Sequence, residues 1–100
     1  FWFGGAYSHA IRKVPHAGAW LANIPAKATF IAEAPPLAAI EAAEAARVRA
    51  PHELLYVRVD LVLGDDGRWR VIEIEAIEPY LFFDFAPEGA GRFVDAIVRV

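Results

Sequence analysis

The sequence predicts an α+β fold, with a mainly antiparallel sheet and helices packed on one face, and three observations lead there. Leu54 to Leu63 and Arg68 to Ala76 are alternating runs joined by Gly64-Asp65-Asp66-Gly67, the pattern of a two-stranded hairpin. Leu37 to Ala50 is built from strong helix formers and lies between Pro36 and Pro51. Pro87 opens a second helical segment running to the C-terminus, whose Ala90, Phe93, Val94 and Ile97 form one apolar stripe.

In chain order, Phe1-Trp2-Phe3 is aromatic and strand-like, and the turn pair Gly4-Gly5 returns the chain into an extended run from Ala6 to Val14. Pro15 to Pro25 reads as a loop and Thr29-Phe30-Ile31 as a short strand before Pro35-Pro36. The helix from Leu37 has few apolar anchors, Leu37 and Ile40 among them, and Pro51 stops it. In the first long strand, Tyr56, Arg58, Asp60 and Val62 share one face, and Leu55, Val57, Val59, Leu61 and Leu63 the other. In the second, Trp69, Val71, Glu73 and Glu75 are expected on one face. Ile77 to Phe85 is irregular.

At 100 residues the chain has the size of one small domain. It opens on Phe1 and holds no methionine, so it is expected to be a piece of a longer protein. The absence of cysteine excludes disulfides, thiolate nucleophiles and cysteine metal sites, and fits a cytoplasmic origin. A net charge of -3 with scattered Lys and Arg gives no basic stripe, so nucleic acid is not an expected partner. Although 57% of the residues are hydrophobic, prolines and glycine break the longest uncharged stretch well short of a membrane span. The aromatic excess at Trp2, Phe3, Trp20, Trp69 and Phe82 to Phe85 is expected to pack against an upstream part of the same chain.

The candidate chemistry lies on the hairpin. With Gly64 opposite Gly67, Arg58 would face Glu73, Tyr56 would face Glu75, and Asp60 would face Val71. Asp60 and Glu73 would then be diagonal neighbours, with β-carbons about 7 to 8 Å apart. Carboxylates this close raise one another's pKa unless a cation neutralises them. Magnesium suits the position, because it takes oxygen ligands at about 2.0 to 2.1 Å and uses one or two carboxylates beside water and phosphate. Two ions about 3.5 to 4 Å apart could share Glu73. The alternative is an ordinary exposed face whose cross-strand Arg58 pairing is worth under about 1 kcal/mol. Against it, the flanking Tyr56, Val62, Trp69 and Val71 give the acids an apolar surround.

Arg58-Val-Asp60, Glu73-Ile-Glu75 and Ile77-Glu-Pro79 together resemble the metal-binding end of the ATP-grasp fold, whose ligases join a carboxylate to an amine through an acylphosphate. The resemblance is to the branch of prokaryotic glutathione synthetase, the ribosomal-protein glutamate ligases and the D-cycloserine-forming cyclo-ligases. It implies that residues 1–100 are the C-terminal portion of such a domain, with ATP and Mg2+ as cofactors and Mn2+ as an alternative ion. It further implies that Asp60, Glu73 and Glu75 hold the metal and that Arg58 contacts the transferred phosphate and the developing oxyanion. Ile72 and Lys27 would line the nucleotide. Tyr7-Ser-His-Ala-Ile-Arg-Lys-Val-Pro15 is similar to a strand of this branch, which implies substrate contact by Ser8, His9 and Arg12. Gly18 to Asn23 resembles a Gly-Asp-Phe-Arg loop followed by a polar residue, here Asn23. Leu21 stands where the family has arginine, and Lys27-Ala28 where a Gly-Gly pair is usual. These departures keep a second reading open, a non-catalytic remnant serving as a binding or assembly module. A metal-free structural domain is a third.

The implied partners are a small-molecule carboxylate and an amine, together with upstream domains of the same chain that carry the family's adenine-contacting lysines. A homo-oligomer is compatible with the pattern, and neither nucleic acid nor a membrane is expected. Among other candidates, His52 reads as an exposed loop residue and His16 has no assigned role. Ser8 and His9, as neighbours on a strand, should point to opposite faces and not touch. Tyr80, Phe82, Phe83 and Phe85 lack interleaved basic residues and read as core, not as a base-stacking platform. Asp65-Asp66-Gly67 reads as a turn, since the other ligand positions of a calcium loop are absent.

Overall fold

Trp2 and Phe3 are neighbours on one strand, yet both are almost wholly buried, at 4% and 3% exposure. Successive strand residues point to opposite faces, so the sheet at this point must be covered on both sides. The structure, a computed structural model describing residues 1–18 and 28–100, shows what covers it. Strands β1 (Trp2–Phe3), β2 (Ala6–Tyr7), β5 (Tyr56–Leu63) and β6 (Trp69–Glu75) form an antiparallel sheet in the order β2-β1-β5-β6. Strands β3 (Ile11–Pro15) and β4 (Ala28–Ala32) form a separate antiparallel pair. The helices described are α1 (Leu37–Arg47) and α2 (Pro87–Val98).

Helix α1 packs through Ala43 on the face carrying Trp2, Val57 and Val59, with Ile40 and Leu61 at the margin. Helix α2 packs through Phe93 and Ala96 on the opposite face, against Phe3 and Tyr56. The expectation of helices on one face is thus corrected to one helix on each, because β1 and β5 bury side chains in both directions. A second correction concerns the aromatic excess. Trp2, Phe3 and Phe82 are buried in this chain's own core, while the exposed large apolar residues include Ile72, Ile77 and Tyr80. Trp20 lies outside the described residues.

The remaining elements follow local chemistry. Gly4 and Gly5 both have positive φ, as a two-residue hairpin turn requires, and Trp2 pairs with Tyr7 across it. Beyond Tyr7 the expected extended run is interrupted at Ser8 to Ala10, and the chain re-enters a ladder only at Ile11. Pro36 sits at the N-cap of α1, its carbonyl accepting from the amides of Ala39 and Ile40. The helix ends at Arg47, earlier than the expected Ala50, and Arg49 and Ala50 continue in tighter three-residue bonding. Pro87 occupies the first turn of α2, with Glu88 beside its positive end.

The hairpin register differs from the expected one. The Gly67 amide donates to the Gly64 carbonyl at 2.9 Å and the Gly64 amide to Arg68 at 2.8 Å, so three residues form the loop and Leu63 pairs with Trp69. Gly67 takes the positive φ of 78° that such a loop needs. A β-bulge then falls between Asp60 and Leu61: Leu61 pairs with Val71 and Asp60 with Glu73, leaving Ile72 without a ladder partner.

Candidate functional site

Two corrections follow from the bulge. Arg58 pairs with Glu75 and Asp60 with Glu73, not Arg58 with Glu73 and Asp60 with Val71. Val71 and Trp69 pair with Leu61 and Leu63, which alternate with Asp60, so they turn to the face opposite the acids. The acids are brought closer than expected. Asp60 and Glu73 are direct cross-strand partners, a relationship that sets β-carbons about 4.5 to 5.5 Å apart.

All three carboxylates converge on Arg58, whose side chain is only 9% exposed. Its Nε donates to Asp60 Oδ1 at 2.8 Å and its Nη2 to Asp60 Oδ2 at 3.1 Å, a bidentate clasp. The same Nη2 lies 2.5 Å from Glu75 Oε2 and 3.7 Å from Glu73 Oε2. A buried guanidinium is costly without such partners, and the clasp fixes both its position and that of the acids. Ile72, expected at the nucleotide, projects from the bulge beside them and is 67% exposed.

A further cation reaches this cluster from the other sheet. Lys13, on β3, places Nζ 3.7 Å from Asp60 Oδ2 and 5.7 Å from the centre of the Phe82 ring. Sequence reasoning gave it no role, although the signal was present. Alternation along β3 puts Lys13 on the side of Ile11, which packs into the core, while Arg12 points outward and pairs with exposed Glu33 at 3.6 Å. Arg12 is therefore not brought to the acids. Phe82, beneath Lys13, holds φ at 54°, a conformation uncommon outside glycine, and its carbonyl accepts from Phe85 and Ala86. Its ring packs on Phe1 and Phe30, in keeping with the core reading of the aromatic run, whereas Tyr80 and Phe85 are exposed.

Ser8 and His9 correct another expectation. They lie between strands, where alternation does not apply, and Ser8 Oγ is 2.9 Å from His9 Nδ1. The other ring nitrogen, Nε2, is 2.8 Å from the Leu81 carbonyl, which can only accept. Nε2 therefore carries the proton, and the Ser8 hydroxyl donates to Nδ1. The ring stacks on Phe1 at 4.4 Å and fits over Gly89, and burial holds its pKa below the ordinary value. Both residues are buried with their polar atoms satisfied inside the chain. Lys27, Asn23 and Leu21 lie outside the described residues.

Among the described residues, no group of three or more His, Cys, Asp or Glu side chains is spaced as a metal cage. The donor set nevertheless suits a hard cation, because the directly paired Asp60 and Glu73 supply oxygen ligands in the number magnesium uses. No helix of the described residues is long and apolar enough to cross a membrane.

No family model matches the chain, and no solved structure matches it significantly. Among curated proteins, it is 36% identical over 104 residues to the cycloserine biosynthesis protein DcsG of Streptomyces lavendulae. The match takes in 97% of this chain and 35% of DcsG, so the chain spans about a third of the length of that relative.

Proposed function

We propose that this chain is the metal-binding end of an ATP-dependent carboxylate-amine ligase that works through an acylphosphate. The observation that carries the reading is the closure of Asp60, Glu73 and Glu75 on one buried guanidinium, and the likeness to a cycloserine biosynthesis protein supports it. Asp60 and Glu73, with Glu75 beside them, would hold Mg2+, which supplies charge neutralisation for the nucleotide phosphates when bound. Arg58, fixed by its clasp, faces the charge that develops as a substrate carboxylate oxygen attacks the γ-phosphorus and the bond to ADP breaks. Amine attack on the acyl carbon then expels phosphate, the amine losing its proton.

The test is Glu73→Ala in the full-length protein, assayed for ATP-dependent amide formation and for melting temperature. Glu73 is half exposed, so the fold should persist, while ligation should fall by about 100-fold or more. Retained ligation would sink the reading. A non-catalytic remnant is favoured by one observation, Leu21 where the resembled family carries arginine. Calorimetric titration with Mg2+ and a non-hydrolysable ATP analogue separates the two, since a remnant shows no magnesium-dependent nucleotide affinity.

A further inference from the structure

Strand β6 is hydrogen-bonded to β5 along one side, and among the described residues nothing pairs with its other side. The backbone amides and carbonyls of such an edge are a template for a further strand. The strand is also apolar in part: Val71, Ile72 and Ile74 are 37%, 67% and 47% exposed. Edge strands that avoid company are commonly charged, with lysine above all, so that a second copy is repelled. Here the two signs are instead divided between the halves of the strand, with Arg68 and Arg70 before the bulge and Glu73 and Glu75 after it.

The bulge also sorts these charges by face. Arg70 pairs with Val62, Glu73 with Asp60 and Glu75 with Arg58, and those three residues of β5 share a face, so Arg70, Glu73 and Glu75 share it too. Without the bulge, residues 70 and 73 would point to opposite faces. Trp69, Val71 and Ile74 pair with Leu63, Leu61 and Val59 and lie on the other face. Let a second β6 run antiparallel beside the first, with Arg70 opposite Glu73 of the other copy. Arg68 then falls opposite Glu75, Trp69 opposite Ile74, and Val71 meets Ile72. Two-fold symmetry makes every one of these contacts twice, and like faces adjoin. A parallel approach would set Arg70 against Arg70 and Glu73 against Glu73.

From this pattern we propose that β6 is the self-association edge of the protein, joining two copies into one continuous antiparallel sheet. Arg70 spends both Nη atoms on Asp66, at 2.8 and 2.7 Å, and keeps Nε for Glu73 of the second copy. Glu73 is half exposed and stands 3.7 Å from Arg58, so one carboxylate oxygen can face outward while the other stays with the cluster. The pairing goes beyond the ligase reading and does not need it. If Glu73 holds a cation, an arginine on its outer oxygen is the kind of partner that orients a ligating carboxylate.

The experiment follows the mass of the full-length protein by analytical ultracentrifugation over a concentration series, for wild type, Arg70→Glu, Glu73→Arg and an equimolar mixture of the two variants. Wild type should show a concentration-dependent dimer. Each variant alone sets like charges opposite one another twice and should weaken the dimer by about tenfold or more, and the mixture, which restores two pairs of opposite charge, should recover it. A wild type that stays monomeric, or a dimer that Arg70→Glu leaves unchanged, overturns the proposal, and so does a mixture that stays weak although both variants fold. Hydrogen exchange on the unmutated protein needs no variant to fold: the β6 amides should gain protection as concentration rises through the dimer range. Protection already complete in the monomer would mean that the protein's own upstream part covers the edge, which overturns the proposal, as does exchange that no concentration slows.

Discussion

Asp60 and Glu73 face one another directly across the β5–β6 ladder, and they do so because Ile72 is bulged out of it. The pairs on either side of the bulge, Asp60 with Glu73 and Leu61 with Val71, become consecutive if Ile72 is removed. Deleting Ile72 should therefore preserve both pairings and change stability by less than about 1 kcal/mol. If Ile72 also lines the nucleotide, as the resemblance implies, the deletion should weaken AMP-PNP binding while circular dichroism and the melting transition stay close to wild type. Loss of cooperative unfolding would show instead that the bulge is needed to build the sheet.

Arg58 is the counter-charge that lets three acids share one face. Arg58→Met should destabilise the fold by about 2 kcal/mol, below the range for a fully buried broken pair because Glu73 and Glu75 retain access to water. Millimolar Mg2+ should recover part of the lost melting temperature in this variant more strongly than in wild type, since the cation replaces the guanidinium. Scanning fluorimetry over a magnesium series reads this directly. An Mg2+ response no larger than that of wild type would mean that the acids disperse when the arginine is lost.

The alternation of Leu54 to Leu63 was enough to place Arg58 and Asp60 on one face and Val57 and Val59 on the other, and the structure keeps that division. What alternation could not reveal was the bulge, because Arg68 to Ala76 reads as an equally good strand with or without one extra residue. The same rule misled at Ser8 and His9. It presumed a ladder there, whereas the chain leaves the sheet between Tyr7 and Ile11, freeing the serine hydroxyl to meet the imidazole. Trp2 and Phe3 were legible as aromatic strand neighbours, whereas their joint burial, which requires both faces of the sheet to be covered, is seen only in the structure. Alternation along β3 put Lys13 on the inward side but did not reveal its meeting with Asp60, which is 47 residues away and belongs to another sheet.

His9 makes stability depend on pH in mild acid. Its folded pKa lies below the unfolded value of about 6.5, mainly because burial disfavours the charged ring, so the folded state binds fewer protons. Its contribution is complete above pH 6.5 and is lost as pH falls through 6.5 toward the depressed folded value. Protonation of Nδ1 would also remove the acceptor for Ser8. Denaturant melts between pH 7 and 5 should show stability declining with acid, with a shallower slope in His9→Gln. An unchanged slope in that variant would assign the decline to other groups.

Two glycines of α2 should respond to the same substitution with opposite sign. Alanine is the better helix former, and at Gly91, where an added methyl meets nothing within 4 Å, Gly91→Ala should stabilise by about 0.5 to 1 kcal/mol. At Gly89 the added β-carbon would lie 2.8 Å from both Cε1 and Nδ1 of His9, and 3.3 Å from Phe83. The imidazole cannot retreat, being held by Ser8, by the Leu81 carbonyl and by its stack on Phe1. Gly89→Ala should therefore destabilise by about 1 to 3 kcal/mol despite its helical advantage. Paired urea melts of the two variants check the contrast, and a stabilised Gly89→Ala would mean that the His9 ring is not fixed where the structure puts it.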